Sequence, residues 1–224
     1  MFETDSEIFV FMKENLFVAV VCDMLDSLGY RNQAMHRRLR PLLPDREQCG
    51  FIGRSRTVQW METEYVDEED PYGLEIEMMD SLKPGDIVVH STDYSGNNVP
   101  WGELLTTVAV KNGAAGCVCD SNIRDCTRII EMNFPVYYTG ILPLDSMGRA
   151  RVMDYDVPIR CGGVQVQSGE LIFADYDGIV VIPESVEREV LKLSLEKVGK
   201  ESVTRKELQA GKTLREVYDR YGIL

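Results

Sequence analysis

Between residues 72 and 138 the sequence alternates between helical and extended patterns, and this alternation restricts the possible folds more than any other feature. Leu74, Met78 and Leu82 recur at four-residue spacing, which predicts a helix. The segments after it are predicted as strand, helix, strand, helix and strand, at residues 86–90, 103–111, 116–120, 125–132 and 135–138. Two successive helical crossovers between strands predict an α/β layer with a parallel sheet.

The rest of the chain shows other patterns. Apolar residues at three- and four-residue spacing predict a helix over about residues 5–30, and residues 50–60 are predicted as a strand. After Thr139, short apolar segments separated by glycine-containing turns predict an antiparallel β unit, with strands at residues 152–159, 163–166, 171–174 and 178–182. A charged helical tail is predicted over about residues 184–224, broken near Gly199 and Gly211. No linker or repeat interrupts the chain, so residues 1–224 are expected to form one domain.

Charge and hydropathy exclude several classes of protein. The chain has 37 Asp and Glu against 24 Lys and Arg, for a net charge of -13. Such a surface repels phosphate backbones on average, and the basic segment at residues 36–40 is short and lacks interleaved aromatic residues. No segment approaches the roughly 18 apolar residues of a membrane span, and the first residues are acidic where a signal peptide would be basic. We therefore expect a cytoplasmic protein that binds neither nucleic acid nor membrane.

Two groups of possible metal ligands have simpler explanations. The six cysteines form no CxxC pair and the chain has only two histidines, so buried thiols are expected rather than a zinc site. The acidic run at residues 67–70 is a block of like charges, which is typical of a solvated surface.

The strongest candidate for a functional site joins two segments of the alternating region. Gly102 and Glu103 open a predicted helix, whose first amides, including those of Leu104 and Leu105, can bind a carboxylate or phosphate. Twenty residues separate Glu103 from the pair Arg124-Asp125, which follows a predicted strand. Ligands of open α/β sheets bind at the carboxyl ends of strands, and an arginine with two hard oxygen donors suits an anion and a divalent cation. The alternative is a structural ion pair in which Asp125 caps the helix that follows it.

These residues and several flanking motifs resemble one known family. The motifs are, in chain order, Asp23-Met24-Leu25, Gly53-Arg54-Ser55-Arg56-Thr57-Val58, Lys83-Pro84-Gly85-Asp86, Gly102-Glu103-Leu104-Leu105, Asn112-Gly113, Asp120 through Arg124-Asp125, Phe134-Pro135-Val136, Gly162-Gly163-Val164 and Ala174-Asp175-Tyr176-Asp177-Gly178. Over about residues 15–212 the chain resembles the RraA-like family, which includes metal-dependent 4-hydroxy-4-methyl-2-oxoglutarate (class II pyruvate) aldolases. The resemblance implies a swivelling β/β/α-type sandwich with a central parallel or mixed sheet and an antiparallel β unit, flanked by helices.

The resemblance also implies an activity and a set of site residues. The activity is cleavage of a 4-hydroxy-2-oxo acid to pyruvate, with oxaloacetate decarboxylation as a side activity. Asp125 would bind Mg²⁺ or Mn²⁺, partly through waters. Glu103 would be a metal-binding and catalytic carboxylate, in contact with the ion either directly or through water. Arg124 would be catalytic at the C2 oxygen of the substrate, and it would bind the substrate together with Gly102 and the amides of Leu104 and Leu105. The family forms homotrimers or dimers of trimers, with sites between subunits.

Several points stay open at this stage. The general base is not visible: a metal-bound water, a carboxylate of a neighbouring subunit and Glu201 are all candidates, and a plain surface position is the alternative for Glu201. The chain departs from the family pattern at Ser121, where glycine is usual, and at Arg128, where an acid often stands. Because the family also contains a regulator of ribonuclease E, a non-catalytic binding protein is an alternative function. A lyase or hydratase acting on a sugar acid is a third.

Overall fold

The computed structural model of the protein describes residues 4–43, 45 and 48–222, so residues 1–3 of the acidic N-terminal stretch lie outside it. Its helices are α1 (Asp5–Asn15), α2 (Val18–Ser27), α3 (Leu74–Asp80), α4 (Glu103–Asn112), α5 (Cys126–Glu131), α6 (Glu187–Gln209) and α7 (Leu214–Tyr221). Its strands are β1 (Arg40–Pro41), β2 (Phe51–Glu62), β3 (Asp86–Ser91), β4 (Gly116–Cys119), β5 (Asn122–Ile123), β6 (Val136–Tyr138), β7 (Gly140–Ile141), β8 (Ala150–Tyr155), β9 (Ile159–Cys161), β10 (Val164–Val166), β11 (Leu171–Asp175) and β12 (Gly178–Ile182).

A mixed sheet forms the centre of the described structure. Its strand order is β1-β6-β4-β3-β2-β11-β12, and β8 also pairs with β2. Strands β2, β3, β4 and β6 are parallel, and α3, α4 and α5 connect them in turn. Every residue of β3 is buried, which is typical of the middle strand of a parallel sheet covered on both faces. The predicted α/β layer is therefore confirmed.

The antiparallel pairing predicted after residue 139 is also confirmed, but most of it belongs to the central sheet. Strands β11 and β12 extend that sheet beyond β2, while β9 and β10 form a separate two-stranded sheet. The prediction of one strand over residues 152–159 is wrong, because β8 ends at Tyr155 and β9 begins at Ile159. Between them Asp156 has a left-handed backbone with φ +56°, and Pro158 has no amide hydrogen for a sheet bond.

Two helix boundaries differ from the prediction for reasons of tertiary structure. The single helix expected over about residues 5–30 is divided, because Leu16 and Phe17 are extended. The carboxylate of Asp175, on the distant strand β11, accepts a hydrogen bond from the amide of Val18 at 2.8 Å and so starts α2 anew. Helix α6 runs without a break through Gly199, although glycine costs about 1 kcal/mol relative to alanine inside a helix; its packing against α2 offsets that cost.

The core lies on both faces of the sheet. One cluster, including Trp60 and Trp101, packs between the sheet and α3, α4 and α5, and a second lies on the opposite face against β9 and β10. Helices α1, α2 and α6 cover β11 and β12 with a third cluster. Cys117, Cys119 and Cys161 are fully buried thiols, as expected. Among the helices of the described ranges, none combines the length and the apolar character needed to cross a membrane.

Candidate functional site

The N-terminus of α4 depends on a glycine. Gly102 precedes the helix in an extended conformation that any residue can adopt, so backbone freedom does not explain it. Space does: a Cβ atom at this position would lie 2.9 Å from Asp125 Oδ2 and 3.1 Å from Arg124 Cγ. Only glycine therefore lets the Arg124-Asp125 pair lie directly against the start of the helix.

The first amides of α4 lie beside Asp125, and not all of them have an acceptor among the described residues. The amide of Glu103 donates to Asp125 Oδ2 at 3.2 Å. The hydrogen bonds of the described residues give the amides of Leu104 and Leu105 no acceptor. Both amides lie at the positive end of the helix dipole, where a carboxylate is stabilised. Gly102 and the amides of Leu104 and Leu105 thus lie near Asp125, and their role as binding groups stays a prediction.

A short parallel bridge brings Arg124 and Asp125 to this helix. Trp101 pairs with Ile123, and the amide of Arg124 donates to the carbonyl oxygen of Trp101 at 3.0 Å. Asp125 has a left-handed backbone with φ +58°, which for a residue with a side chain costs on the order of 1 kcal/mol. Its carboxylate makes no capping bond to α5 and instead accepts the amide of Glu103. Of the alternative interpretation, the side-chain cap is therefore wrong, whereas the ion pair between Arg124 and Asp125 is present at 3.7 Å.

The guanidinium of Arg124 is held on one side by a loop that the sequence did not point to. Its Nη1 donates to the carbonyl oxygen of Leu144 at 3.0 Å and lies 3.0 Å from Asp145 Oδ2. Its Nε lies 3.7 Å from Asp125 Oδ2. The hydroxyl of Tyr72 donates to the other oxygen of Asp145, at 3.4 Å. An isolated loop aspartate and a tyrosine carry no sequence signal, so neither could be singled out before the structure.

Glu103 joins the site through its backbone rather than its carboxylate. Its Oε1 accepts a hydrogen bond from Thr107 Oγ1 one turn along α4, at 3.2 Å. The contact between Glu103 and Asp125 is the amide hydrogen bond described above. The backbone of Glu103 thus contacts Asp125, but the described contacts do not join the two carboxylates directly.

The loop between β3 and α4 (residues 92–102, the approach loop) explains why serine stands at position 121, where the family usually has glycine. Ser121 is buried, and its hydroxyl lies 2.6 Å from the carbonyl oxygen of Ser95 and 2.8 Å from that of Asn98. The side-chain amide of Asn122 donates to the carbonyl oxygen of Gly96 at 3.0 Å. Ser121 therefore ties this loop to the end of β4, a contact that glycine could not make.

Two other residues singled out from the sequence have partners of their own. Arg128 is exposed and pairs with Glu131 at 2.9 Å. The hydrogen bond to Glu131 is the main cause that raises the pKa of Arg128, and the charge of Glu103 adds to it. Glu201 lies 3.9 Å from Lys197 on α6, a helix that packs against α2. Within a single chain, none of the described contacts of Glu201 joins it to Arg124.

Glu75 adds a buried carboxyl next to the site. It lies in the first turn of α3. Burial is the main cause that raises the pKa of Glu75 to about 8; the charge of Asp145 raises it further, and that of Arg124 opposes the shift. The side chain therefore carries a proton at neutral pH. Its pattern in the sequence is that of an ordinary helical glutamate, so only the tertiary structure reveals it.

The shifted pKa of Glu75 predicts how stability depends on pH. The folded protein keeps this proton up to about pH 8, whereas the unfolded chain releases it near the ordinary value of 4.5. Folding therefore takes up a proton between these values, and this group makes the free energy of unfolding fall as pH rises through that window. Glu75→Gln should remove this dependence and raise the free energy of unfolding at about pH 8.5 by roughly 1–3 kcal/mol.

Urea unfolding at about pH 5.5 and about pH 8.5 measures the effect. Glu68→Gln, in the exposed acidic run, is the matched control, and it should follow the wild-type curve. Equal pH dependence of the wild type and Glu75→Gln would contradict the prediction.

The donor set decides which metal the site could hold. Among the described residues, no three His, Cys, Asp or Glu side chains converge to form a protein-only metal cage. Asp125 keeps one carboxylate oxygen without a described hydrogen bond, and its side chain is 45% exposed. Mg²⁺ and Mn²⁺ accept one or two carboxylates and keep several waters. Asp125, with Glu103 nearby, therefore fits such an ion and does not fit a structural zinc site.

Two curated proteins are similar to most of this chain. A "Putative 4-hydroxy-4-methyl-2-oxoglutarate aldolase" of Halalkalibacterium halodurans is 30% identical over 177 residues, which are 79% of this chain and 77% of that protein. "Protein DlpA" of Legionella pneumophila is 26% identical over 203 residues, which cover 91% of this chain. The chain spans only 32% of the length of DlpA.

Solved structures share the fold. The crystal structure of Streptomyces coelicolor RraAS2, described as an unusual member of the RNase ES inhibitor RraA protein family, superposes with a TM-score of 0.78 at 28% identity. The superposition covers 92% of this chain and 98% of that one. A family model described as "RraA-like: Aldolase/RraA" matches residues 18–181 of this chain. The chain therefore belongs to the RraA-like family.

Proposed function

We propose that this protein is a divalent-metal-dependent aldolase that cleaves a 4-hydroxy-2-oxo acid to pyruvate. The observation that carries the proposal is the contact of the Arg124-Asp125 pair with the start of α4, where two amides have no described acceptor. A reaction that forms an enolate from a small oxyacid needs such groups: the positive charge of Arg124, the carboxylate of Asp125 and the two amide donors.

The helix end supports binding of the substrate carboxylate. The amides of Leu104 and Leu105 can each donate one hydrogen bond to it, and the dipole of α4 favours its charge. Because Gly102 has no Cβ, the side chains of Arg124 and Asp125 lie directly beside these amides. This arrangement would hold the 2-oxo group against the guanidinium.

Arg124 supports the chemical step. Retro-aldol cleavage breaks the bond between C3 and C4 of the substrate and leaves the electron pair as the enolate of pyruvate, with its charge at the C2 oxygen. The guanidinium offers planar, charged N–H donors to that oxygen. A preorganised donor at such an oxygen contributes about 3 kcal/mol to stabilising the transition state.

Asp125, with Glu103 near it, would hold the Mg²⁺ or Mn²⁺ ion. When bound, that ion supplies a Lewis acid for the oxygen that gains charge. Decarboxylation of oxaloacetate leads to the same enolate, so the same residues predict that side activity. The proton acceptor for the C4 hydroxyl would come from a bound water or from a second copy of the chain.

The surface around the site supports an assembly with another subunit. Leu104 at the start of α4 is 73% exposed and Ile141 on β7 is 59% exposed. Apolar side chains this exposed beside a binding site favour burial against a second copy. We include a homotrimer or a dimer of trimers in the proposal, with the site completed between subunits.

Pyruvate release tests the proposal. Purified protein with Mg²⁺ or Mn²⁺ is expected to release pyruvate from 4-hydroxy-4-methyl-2-oxoglutarate or a related 4-hydroxy-2-oxo acid, and from oxaloacetate. EDTA should lower the enzyme-dependent rate by about a hundredfold or more, because the Lewis acid contributes several kcal/mol, and added metal should restore it. The metal-dependent decay of oxaloacetate without enzyme must be subtracted.

A second function is supported by the likeness to RraAS2, which is described as a member of a family of RNase ES inhibitors. The net charge of -13 suits docking onto basic segments of a ribonuclease. If no substrate of the panel yields metal-dependent pyruvate, while the protein inhibits a purified endoribonuclease of the RNase E type, the regulatory function replaces the enzymatic one.

A further inference from the structure

Asp145 contacts the proposed catalytic arginine from outside the sequence motif. It lies in the loop between β7 and β8, and its Oδ2 is 3.0 Å from Arg124 Nη1. The same Nη1 donates to the carbonyl oxygen of the preceding residue, Leu144, at 3.0 Å. Two acceptors of one loop therefore hold one nitrogen of the guanidinium.

Asp145 is itself held by three further contacts. Its Oδ1 accepts the hydroxyl of Tyr72 at 3.4 Å and the amide of Met147 at 2.9 Å. Arg149 Nη1 donates to the backbone carbonyl oxygen of Asp145 at 3.0 Å. Burial by itself raises the pKa of Asp145, but the hydrogen bonds from Met147 and Arg124 lower it below its ordinary value, so the side chain is charged at neutral pH. The carboxylate thus meets Arg124 with a fixed position and a full charge.

These contacts leave one edge of the guanidinium for a ligand. Nη1 is bound to the loop and Nε faces Asp125 at 3.7 Å. The hydrogen bonds of the described residues give Nη2 of Arg124 no acceptor. An arginine side chain that is already held in place loses less rotamer entropy on binding than an unrestrained one.

Ion pairs that are fully exposed contribute little to stability and restrain their side chains weakly. Here the side chains are 36% and 32% exposed, and the acid has its own network of donors. Such a network restricts orientation more than it adds stability.

We propose that Asp145 is a positioning residue for the cleavage reaction: it orients the guanidinium of Arg124 so that Nη2 faces the 2-oxo acid. This inference rests on the proposed function, because it assigns Arg124 to the substrate. It assigns no contact between Asp145 and the substrate.

The test is steady-state kinetics of pyruvate release by Asp145→Asn. We expect kcat to fall on the order of tenfold, because a guanidinium that is no longer held spends less time in the reactive orientation. KM should rise by no more than about twofold, since Arg124 loses a competing negative charge and still attracts the anionic substrate. Asp154→Asn, at an exposed position on β8, is the matched control and should keep the wild-type kcat and KM.

A double-mutant cycle separates positioning from a structural role. In an Arg124→Lys background, Asp145→Asn should change kcat by less than about twofold, because the fork that Asp145 orients is absent. A purely structural role would lower the unfolding midpoint equally in both backgrounds and leave kcat per folded enzyme unchanged. An unchanged kcat in Asp145→Asn, a rise in KM alone, or full additivity in the cycle would overturn the proposal.

Two further results keep the test decisive. If Asp145→Asn does not fold, Tyr72→Phe removes one of the bonds that hold Asp145, and kcat should still fall by about twofold to threefold; no change there would overturn the proposal. If the wild-type protein releases no pyruvate from any substrate, the proposed function fails, and the role of Asp145 fails with it. An active wild type with an equally active Asp145→Asn overturns only the role of Asp145.

Discussion

Replacing Arg124 with alanine is expected to lower kcat/KM for pyruvate release by about a hundredfold or more. The guanidinium lies close to Asp125 and to the Asp145 loop, and the Arg124 side chain lies against the start of α4. Its loss would remove the charged donor from the C2 oxygen, where the enolate charge develops. Stability should change little, because the ion pairs of a side chain that is 36% exposed contribute little.

Arg124→Lys separates the effect of the positive charge from that of the planar guanidinium. Lysine keeps the positive charge but loses the planar fork, so it cannot meet the Asp145 loop and the substrate at once. Its kcat/KM should stay within about tenfold of the alanine variant rather than approach the wild type. Arg215→Ala, in a surface pair on α7, is the control for the loss of an arginine. Wild-type kinetics in Arg124→Ala, measured with the unfolding midpoint unchanged, would remove this residue from the reaction.

Gly102→Ala is expected to have the second largest effect, on the order of tenfold to a hundredfold in kcat/KM. The added methyl would lie 2.9 Å from Asp125 Oδ2, 3.1 Å from Arg124 Cγ and 3.3 Å from Arg124 Nε. These atoms must move by several tenths of an ångström to accept it. Displacing both residues at once would disturb the proposed metal ligand and the guanidinium together, and misplacing reacting groups slows a reaction strongly.

Gly96→Ala is the matched control for this substitution. It lies in the same approach loop, and a methyl there meets no atom within 4 Å. Titration with Mn²⁺ and steady-state kinetics of both variants would measure the effect. We expect weaker metal binding and slower turnover in Gly102→Ala alone. Equal activity of the two alanine variants would show that the close approach at Gly102 has no functional importance.

Much of the fold could be predicted because its signals are local. Apolar residues at helical spacing marked α3, and β3 was recognisable as a short apolar segment after Pro84 and Gly85. The place of Arg124 and Asp125 after β4 and β5 follows from the rule that the ends of parallel strands share one edge. The break between α1 and α2 could not be predicted, because it depends on Asp175, which is 157 residues from Val18.

The candidate site also has features that the sequence predicted and features that it did not. The motif predicted the segment around Gly102 and the Arg124-Asp125 pair, and the structure brings these together. It did not predict that the Glu103 carboxylate contacts Thr107, because the rotamer of a helix side chain depends on its neighbours in space. The metal, the substrate and the roles assigned to these residues remain proposals.

By itself, the sequence determined the order of the helices and strands of the α/β layer from α3 to β6, apart from the short β5, and the chemical groups at the start of α4 and after β5. Hydrophobic periodicity, glycine positions and the spacing of charged residues act over a few residues, so they can be followed along the chain. Only the tertiary structure decided that Asp145 and Tyr72, 73 residues apart, meet beside Arg124, and that Glu75 is buried next to them. Such contacts depend on how distant loops pack once the sheet has formed, and no local pattern encodes that packing.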